Sequence, residues 1–403
     1  MSVAGLLATG IARRTFLGVL SRIAVGSLTV VLPAGDTRSY AGKAPGPAAT
    51  LIVHSNSFFG RVLRHGEIGF GEAFMDGYCT SPDLVALIKL ALANRRAMSL
   101  NAGLLRSLSR VFNRRLHLGR RNTVEQAKDN ISAHYDLGND FFRLWLDETM
   151  TYSSALFTQP DEALADAQRN KYRALCDLAR LKVDDHVLEI GTGWGGFAIL
   201  AAGEYGCRVT TVTISEEQCA LATERVAEAG LADRVTVELR DYRDVTGSFD
   251  AVVSIEMFEA VGAEFFETFF EKCGSVLKPD GRLVMQVITV PDEAYVAQVT
   301  GVNWIQKYIF PGGVLPSLAA MERANTRSGL VLTKSTDIGL HYVTTLHHWR
   351  ERFWQVIDKV RAQGYDERFV RMWDYYLAIC EAGFAAHNTG DAHVLFEKSP
   401  AVD

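Results

Sequence analysis

The chain has 403 residues, enough for two domains and a large core. Hydrophobic residues make up 48% and charged residues 22%, which excludes wholesale disorder, and a formal net charge of −5 gives no reason to expect a nucleic-acid partner. The six cysteines (Cys79, Cys176, Cys207, Cys219, Cys273, Cys380) contain no C-x-x-C pair; a zinc site or disulfide framework is therefore not expected, and reduced thiols in the cytoplasm are.

In chain order, Leu6, Leu7, Ile11, Leu17, Leu20 and Ile23 fall near one face at helical spacing. An amphipathic helix within the folded protein is expected. Ala12-Arg13-Arg14-Thr15-Phe16-Leu17 also resembles a twin-arginine export signal, but no small-x-small cleavage site follows at the right distance. No stretch reaches the ~20 unbroken apolar residues that a membrane-spanning helix needs. Ser27 to Leu32 reads as a strand ending in the turn Pro33-Ala34-Gly35-Asp36, and Leu51-Ile52-Val53-His54 as a second strand. Phe58 to Arg64 looks helical, Ile68 to Gly77 is rich in glycine and aromatic residues, and Ser81-Pro82-Asp83 caps a helix with Pro82 at an early helical position. The basic stretch Arg106 to Arg121 reads either as a solvated connector or as a contact for anionic phospholipid head groups. Residues 1–120 are expected to form a small mixed domain.

From 121 to 403 the pattern is α/β. Strands are expected at 186–190, 207–213, 234–239, 249–255 and 281–288 with helices between them, which makes a doubly wound, largely parallel sheet. After the first strand, Glu189-Ile190-Gly191-Thr192-Gly193-Trp194-Gly195-Gly196 is a glycine loop opening a helix that runs to Ala202. Ligands sit over such a loop at the carboxyl ends of the strands. The E-x-G-x-G-x-G spacing departs from the dinucleotide G-x-G-x-x-G and suits a nucleoside without a pyrophosphate, such as S-adenosylmethionine (SAM); a nicotinamide site and a plain tight turn remain open at this point. The 290–350 region, with Trp304 to Gly313, interrupts the alternation and reads as a lid, as the wall of an apolar pocket, or as ordinary core. His347 and His348 have no partner at metal-ligand spacing, so no metal is expected.

Seven motifs in order carry a family resemblance: His134 to Phe142, Met150-Thr151-Tyr152-Ser153-Ser154, the glycine loop, Val212 to Gln218, Asp241-Tyr242-Arg243-Asp244, Glu256 to Gly262, and Lys307 to Gly313. The sequence from about 130 to 390 resembles cyclopropane-fatty-acyl-phospholipid synthases and mycolic acid methyltransferases, and Ile68 to Gly77 resembles their N-terminal segment. The resemblance implies a class I SAM-methyltransferase fold (a Rossmann-like doubly wound sheet) beside a smaller lipid-binding-type N-terminal domain. It also implies methyl transfer to the cis double bond of a phospholipid acyl chain, with peripheral membrane contact and a possible homodimer. The alkene attacks the sulfonium methyl, and the cation then loses a proton, either closing a cyclopropane or leaving a methylene or methyl branch.

By position, the resemblance assigns Tyr152, Ser153, Glu189, Gly191, Gly193, Thr213, Ile214, Gln218, Tyr242 and Arg243 to SAM. It assigns Ser154, Glu259, Gln286, Ile288 and Tyr342 to a nest for bicarbonate, the family's base. Ser154 stands where many members carry cysteine, and both side chains can donate a hydrogen bond. Gln286 stands where many carry histidine; an amide cannot carry a proton away, which puts the ring product in question more than methyl transfer. Cys380 falls at a cysteine traditionally placed in the active site, and reads equally as a packed residue near the pocket. Glu256, three residues before Glu259, is expected on nearly the same face if 255–262 is helical. His134 reads as a structural histidine or a pocket wall. A small-amine N-methyltransferase and a non-enzymatic lipid-binding protein are the competing functions.

Overall fold

The computed structural model describes residues 3–98 and 137–398. The Arg106–Arg121 cluster and His134 lie outside the described residues. The chain divides into two compact units, one of Met1–Leu116, Val302–Ile309 and Phe353–Asn388, the other of His117–Gly301, Phe310–Arg352 and Thr389–Asp403. The segments 302–309 and 353–388, placed in the second domain on sequence, thus pack with the first.

In the first unit a helix, Val3–Leu20, precedes a four-stranded sheet of order β2-β1-β3-β4. Its strands are β1 (Val25–Val31), β2 (Thr37–Ala41), β3 (Ala44–Val53) and β4 (Cys79–Thr80). The turn after β1 is closed by Leu32 N–H donating to Asp36 O at 2.8 Å, with Gly35 at φ 89°. Leu20 and Ile23 are buried as expected, but Ile11 is 67% exposed; the first helix instead places Phe16 against Phe58 and Phe59, ring centroids 5.3 and 5.6 Å away. The helix Ser57–Met75 is broken at Gly66, whose φ of 56° and ψ of −128° no helix adopts. Past the break, a Cβ on Gly69 would lie 2.4 Å from Arg61 O, and one on Gly71 would lie 2.4 Å from Trp304 Nε1. Those two glycines are therefore demanded by packing. The next helix, Leu84–Ala93, is capped by Asp83, whose Oδ1 accepts Ala86 N–H at 2.8 Å; Pro82 lies outside the helix, not inside its first turn.

The second unit is a seven-stranded sheet of order β10-β11-β9-β8-β5-β6-β7. Its strands are β5 (His186–Ile190), β6 (Arg208–Thr213), β7 (Val235–Leu239), β8 (Phe249–Ile255), β9 (Leu277–Thr289), β10 (Leu330–Asp337) and β11 (Gly390–Lys398). From β7 through to β9 all pairs are parallel, and β11 and β10 add antiparallel. Alternate residues feed two cores, as the period of a strand requires. Val187, Val209, Val253 and Val284 pack with Phe197 and Leu175, while Leu188, Val212, Val252 and Met285 pack with Phe266 and Phe269. Burial on both faces explains why these strands read as continuous apolar runs. Strand order reverses between β5 and β8, so the loops leaving their carboxyl ends part there and open a crevice.

Candidate active site

Two loops meet at that crevice. The first follows β5. Gly191 and Thr192 N–H donate to Val212 O at 3.0 and 3.2 Å, and Gly191, Gly193 and Gly195 adopt φ of 101°, 52° and 83°. A Cβ on Gly193 would meet no protein atom within 4 Å, whereas one on Gly191 would touch Met257 at 3.0 Å. The loop thus carries room on its outer side that a side chain would fill, and this fits a nucleoside cofactor. At the end of β6, Thr213 Oγ1 donates to Gln218 Oε1 at 2.8 Å, and Ser215 caps the following helix through Gln218 N–H at 3.3 Å; Ile214 between them is half-buried. After β7, Arg243 is clamped by Asp241 at 2.9 and 2.6 Å and lies 5.6 Å over the Tyr242 ring, which packs on Phe269.

Glu189 sits within β5, 2% exposed, hydrogen-bonded to Thr211, and burial pushes its carboxyl up to about 8. Tyr152 lies among Phe142, Trp145 and Trp349, with centroids 5.2, 5.7 and 5.2 Å away. Asn139 Oδ1 accepts Trp194 Nε1–H from the glycine loop at 2.7 Å. The Asn139–Phe142 end of the first family motif therefore braces the loop.

The second loop follows β8 and carries a cluster of buried charge. Glu256, directly after Ile255, has a left-handed φ of 47°. Its Oε1 accepts Ser154 N–H and Gln286 Nε2–H, each at 2.8 Å, and its Oε2 accepts the Tyr342 hydroxyl at 2.7 Å. Gln286, on β9, also donates to Asp391 Oδ2 at 2.8 Å, and His393 Nε2 lies 3.3 Å from its Oε1. Glu259 Oε1 accepts Ile288 N–H, while its Oε2 has no hydrogen-bond partner among the described residues. Lys171 is 0% exposed and its Nζ donates to Ser153 Oγ.

The titrations follow from this crowding. Burial pushes Lys171 down to about 8, against the pull of Glu256, Asp391, Asp147 and Glu189. Burial also raises Glu256, and Lys171 with the three donors pulls it back. Burial and the charge of Glu256 push Glu259 up to about 8, and burial with both glutamates holds Asp391 well above the carboxylate range. Burial and Lys171 bring His393 down to about 3, so its ring is neutral. The arrangement is one carboxyl with three donors and a buried lysine, among further acids whose pKa burial raises.

Several sequence expectations change here. The stretch 255–262 is a left-handed residue followed by a 3-10 turn over Phe258–Ala260, so Glu256 and Glu259 do not share a helical face. Tyr342 donates to Glu256, a residue outside the expected nest. Ser154 contributes its backbone N–H, and its hydroxyl donates to Ala155 O at 3.1 Å, so cysteine versus serine matters little. Cys380 lies on the helix Glu367–Ala385 of the other unit. Lys307 and Tyr308, from the last family motif, bind Glu72 at 2.6 and 2.8 Å within the first unit. Glu256, Lys171, Asp391 and His393 were not singled out on sequence as site residues. Lys171 left a signal: with Leu164, Ala167, Gln168, Tyr172 and Leu175 it occupies the apolar face of the helix Leu164–Ala179, where a lysine needs a partner.

The four donors assigned to bicarbonate (Ser154 N–H, the Gln286 amide, the Tyr342 hydroxyl and Ile288 N–H) are all engaged by the chain's own carboxylates. The residues present do not fit that ion. Among the described residues no cluster of metal-ligand type occurs, and no helix is long and apolar enough to cross a membrane.

The sequence profile of the mycolic acid cyclopropane synthetase family matches residues 122–394. The chain belongs to this family. It is 43% identical over 363 residues to the tuberculostearic acid methyltransferase UfaA1 of Mycobacterium tuberculosis, covering 85% of this chain and 82% of that one. It is 37% identical over 364 residues to the cyclopropane-fatty-acyl-phospholipid synthase of Escherichia coli K12, covering 89% of each. The solved structure of mycolic acid cyclopropane synthase CmaA1, complexed with SAH and CTAB, superimposes with a TM-score of 0.63 at 28% identity, over 67% of this chain and 98% of that one. This member of the cyclopropane synthetase family is a SAM-dependent methyltransferase of lipid or fatty acyl chains, and its sheet is the class I methyltransferase sheet expected from the alternation of elements.

Proposed function

We propose that the protein methylates the cis double bond of an unsaturated acyl chain in a membrane phospholipid and that proton loss from the resulting cation closes a cyclopropane. The observation that carries this reading is the buried carboxylate cluster after β8 touching the glycine loop after β5: Gly191 and Met257 abut, and Met257 adjoins Glu256. SAM, when bound, supplies an electrophilic methyl on sulfur. Gly191 and Gly193 would let the backbone approach it, and Thr213, Ile214, Gln218, Tyr242, Arg243, Tyr152 and Ser153 would hold it. An alkene is a weak nucleophile, so the chain must hold the double bond in line and keep water from the cation. The aromatic shell of Phe142, Trp145, Tyr152 and Trp349 suits both tasks.

A second outcome of the same chemistry, a hydride shift from the methylated carbon to the neighbouring cationic carbon followed by proton loss from the added methyl to give a methylene branch, is favoured by Gln286 and by the 43% identical relative, a tuberculostearic acid methyltransferase. Incubation with SAM and vesicles of unsaturated phospholipid should add one methylene to the lipid mass. NMR of the product then separates ring from branch by its olefinic protons. Methylation of a small amine with no lipid product would overturn the proposal.

A further inference from the structure

We propose that Glu256 is a built-in replacement for the nest's anion: it takes the hydrogen bonds a bicarbonate ion would take and itself accepts the proton lost from the methylated acyl chain. This rests on the lipid methyltransferase reading above. In the step, the alkene π pair forms the new C–CH3 bond while the C–S pair stays on sulfur. A C–H bond of the cation then breaks, its electron pair closes the ring or forms a new double bond, and the proton goes to a Glu256 oxygen.

Three observations converge. First, Glu256 collects three donors from three separate elements: the 150–155 segment, β9 and the helix Gly339–Gln355. A carboxylate and a bicarbonate present the same planar pair of oxygens, so a nest filled by one has no donors left for the other. Second, Glu256 holds a left-handed backbone at φ 47°. Such a conformation is disfavoured for a non-glycine residue and persists where the surroundings over-determine it. Third, the surroundings single Glu256 out among the buried acids, with three donors and a buried lysine beside it. Lys171 is the buried cation beside it, and burial first, then the charge of Glu256, raises the carboxyls of Glu259 and Asp391. Glu259 is held only by backbone N–H groups, Ile288 and its own, and Asp391 shares the Gln286 amide. Gln286 thereby acquires a task a histidine would perform less well, since its amide hydrogens are shared between two acids and carry no proton to exchange.

The test begins with the wild-type protein in carbon-dioxide-free buffer. Turnover, read as SAH released and lipid methylated, should stay within about twofold on adding millimolar bicarbonate. Loss of turnover on depletion, restored by the ion, would overturn the proposal. In Glu256→Gly the backbone strain is relieved and the nest opened; turnover should fall by about 100-fold or more and be partly rescued by bicarbonate or formate. Turnover within a few-fold of wild type without any ion would also overturn it. Glu256→Gln keeps the shape but not the basicity and should show the loss without the rescue. NMR with carbon-13 bicarbonate gives an answer independent of catalysis: bound ion should be seen with Glu256→Gly and not with wild type, and binding by wild type overturns the proposal. If wild type methylates no lipid, the functional reading fails while this binding result still decides whether Glu256 fills the nest. Should the variants not fold, the two wild-type measurements decide.

Discussion

Replacing Glu259 by Gln should make the protein more stable at alkaline pH. Glu259 is buried and its carboxyl titrates near about 8 in the fold against 4.5 when exposed. The native state therefore holds a proton that the unfolded state has released between those values. Stability from this group is complete below pH 4.5 and is lost as pH rises through about 8. At about 1.4 kcal/mol per pH unit over that window, the loss between pH 5 and pH 8 is on the order of 4 kcal/mol. A Gln side chain at 259 still accepts Ile288 N–H, so the variant keeps the hydrogen bond and sheds the titration. Glu189, Asp391 and Glu256 titrate in the same sense, so the variant should lose only part of the wild-type pH dependence. Urea-unfolding midpoints from pH 5 to pH 8, with m-values compared, measure this directly. A variant less stable than wild type at pH 8, or one equally sensitive to pH, would refute the assignment of a buried, protonated Glu259.

Gly193→Val should abolish SAM binding in calorimetry while circular dichroism shows the fold intact, because the side chain enters the open side of the loop at a φ of 52°; unchanged affinity would sink the cofactor assignment. Tyr342→Phe removes a hydroxyl donor from Glu256 Oε2 and should cut kcat by about 10- to 100-fold with little change in SAM affinity. Glu72→Ala strips Lys307 and Tyr308 of their acceptor and should cost about 1–2 kcal/mol, measured by urea unfolding, with Glu72→Gln recovering part of it. The Arg106–Arg121 run predicts vesicle binding that rises with anionic lipid and falls with salt, checked by co-sedimentation; equal binding to neutral and anionic vesicles at low salt would refute it.

Five of the seven strands of the second unit were legible in the sequence because they are short apolar runs bounded by glycine and charge, while the antiparallel β10 and β11 were not foreseen; the glycine loop announced the ligand edge by its spacing. Four of the five expected strands lie within one residue of the observed ones, and the fifth, β9, begins four residues early through Pro279-Asp280-Gly281. Motif order brought Ser154, Glu259, Gln286, Ile288 and Tyr342 to notice. What it could not supply was who bonds whom. Glu256 looked like a helical neighbour of Glu259 because its spacing is three; its left-handed φ sends it elsewhere, and no local pattern encodes that. Lys171 lies 85 residues from Glu256 in sequence, and the coupling between them arises only when the helix Leu164–Ala179 packs against the sheet. The division of the chain was hidden for the same reason: Trp304 and Lys307 read as part of an insertion, and only packing reveals that Gly71 and Glu72 were waiting for them. Local propensity and periodicity act over a few residues and fix elements. Charge state and hydrogen-bond ownership in a buried cluster depend on desolvation and on groups brought together from distant parts of the chain, and those are decided by tertiary structure alone.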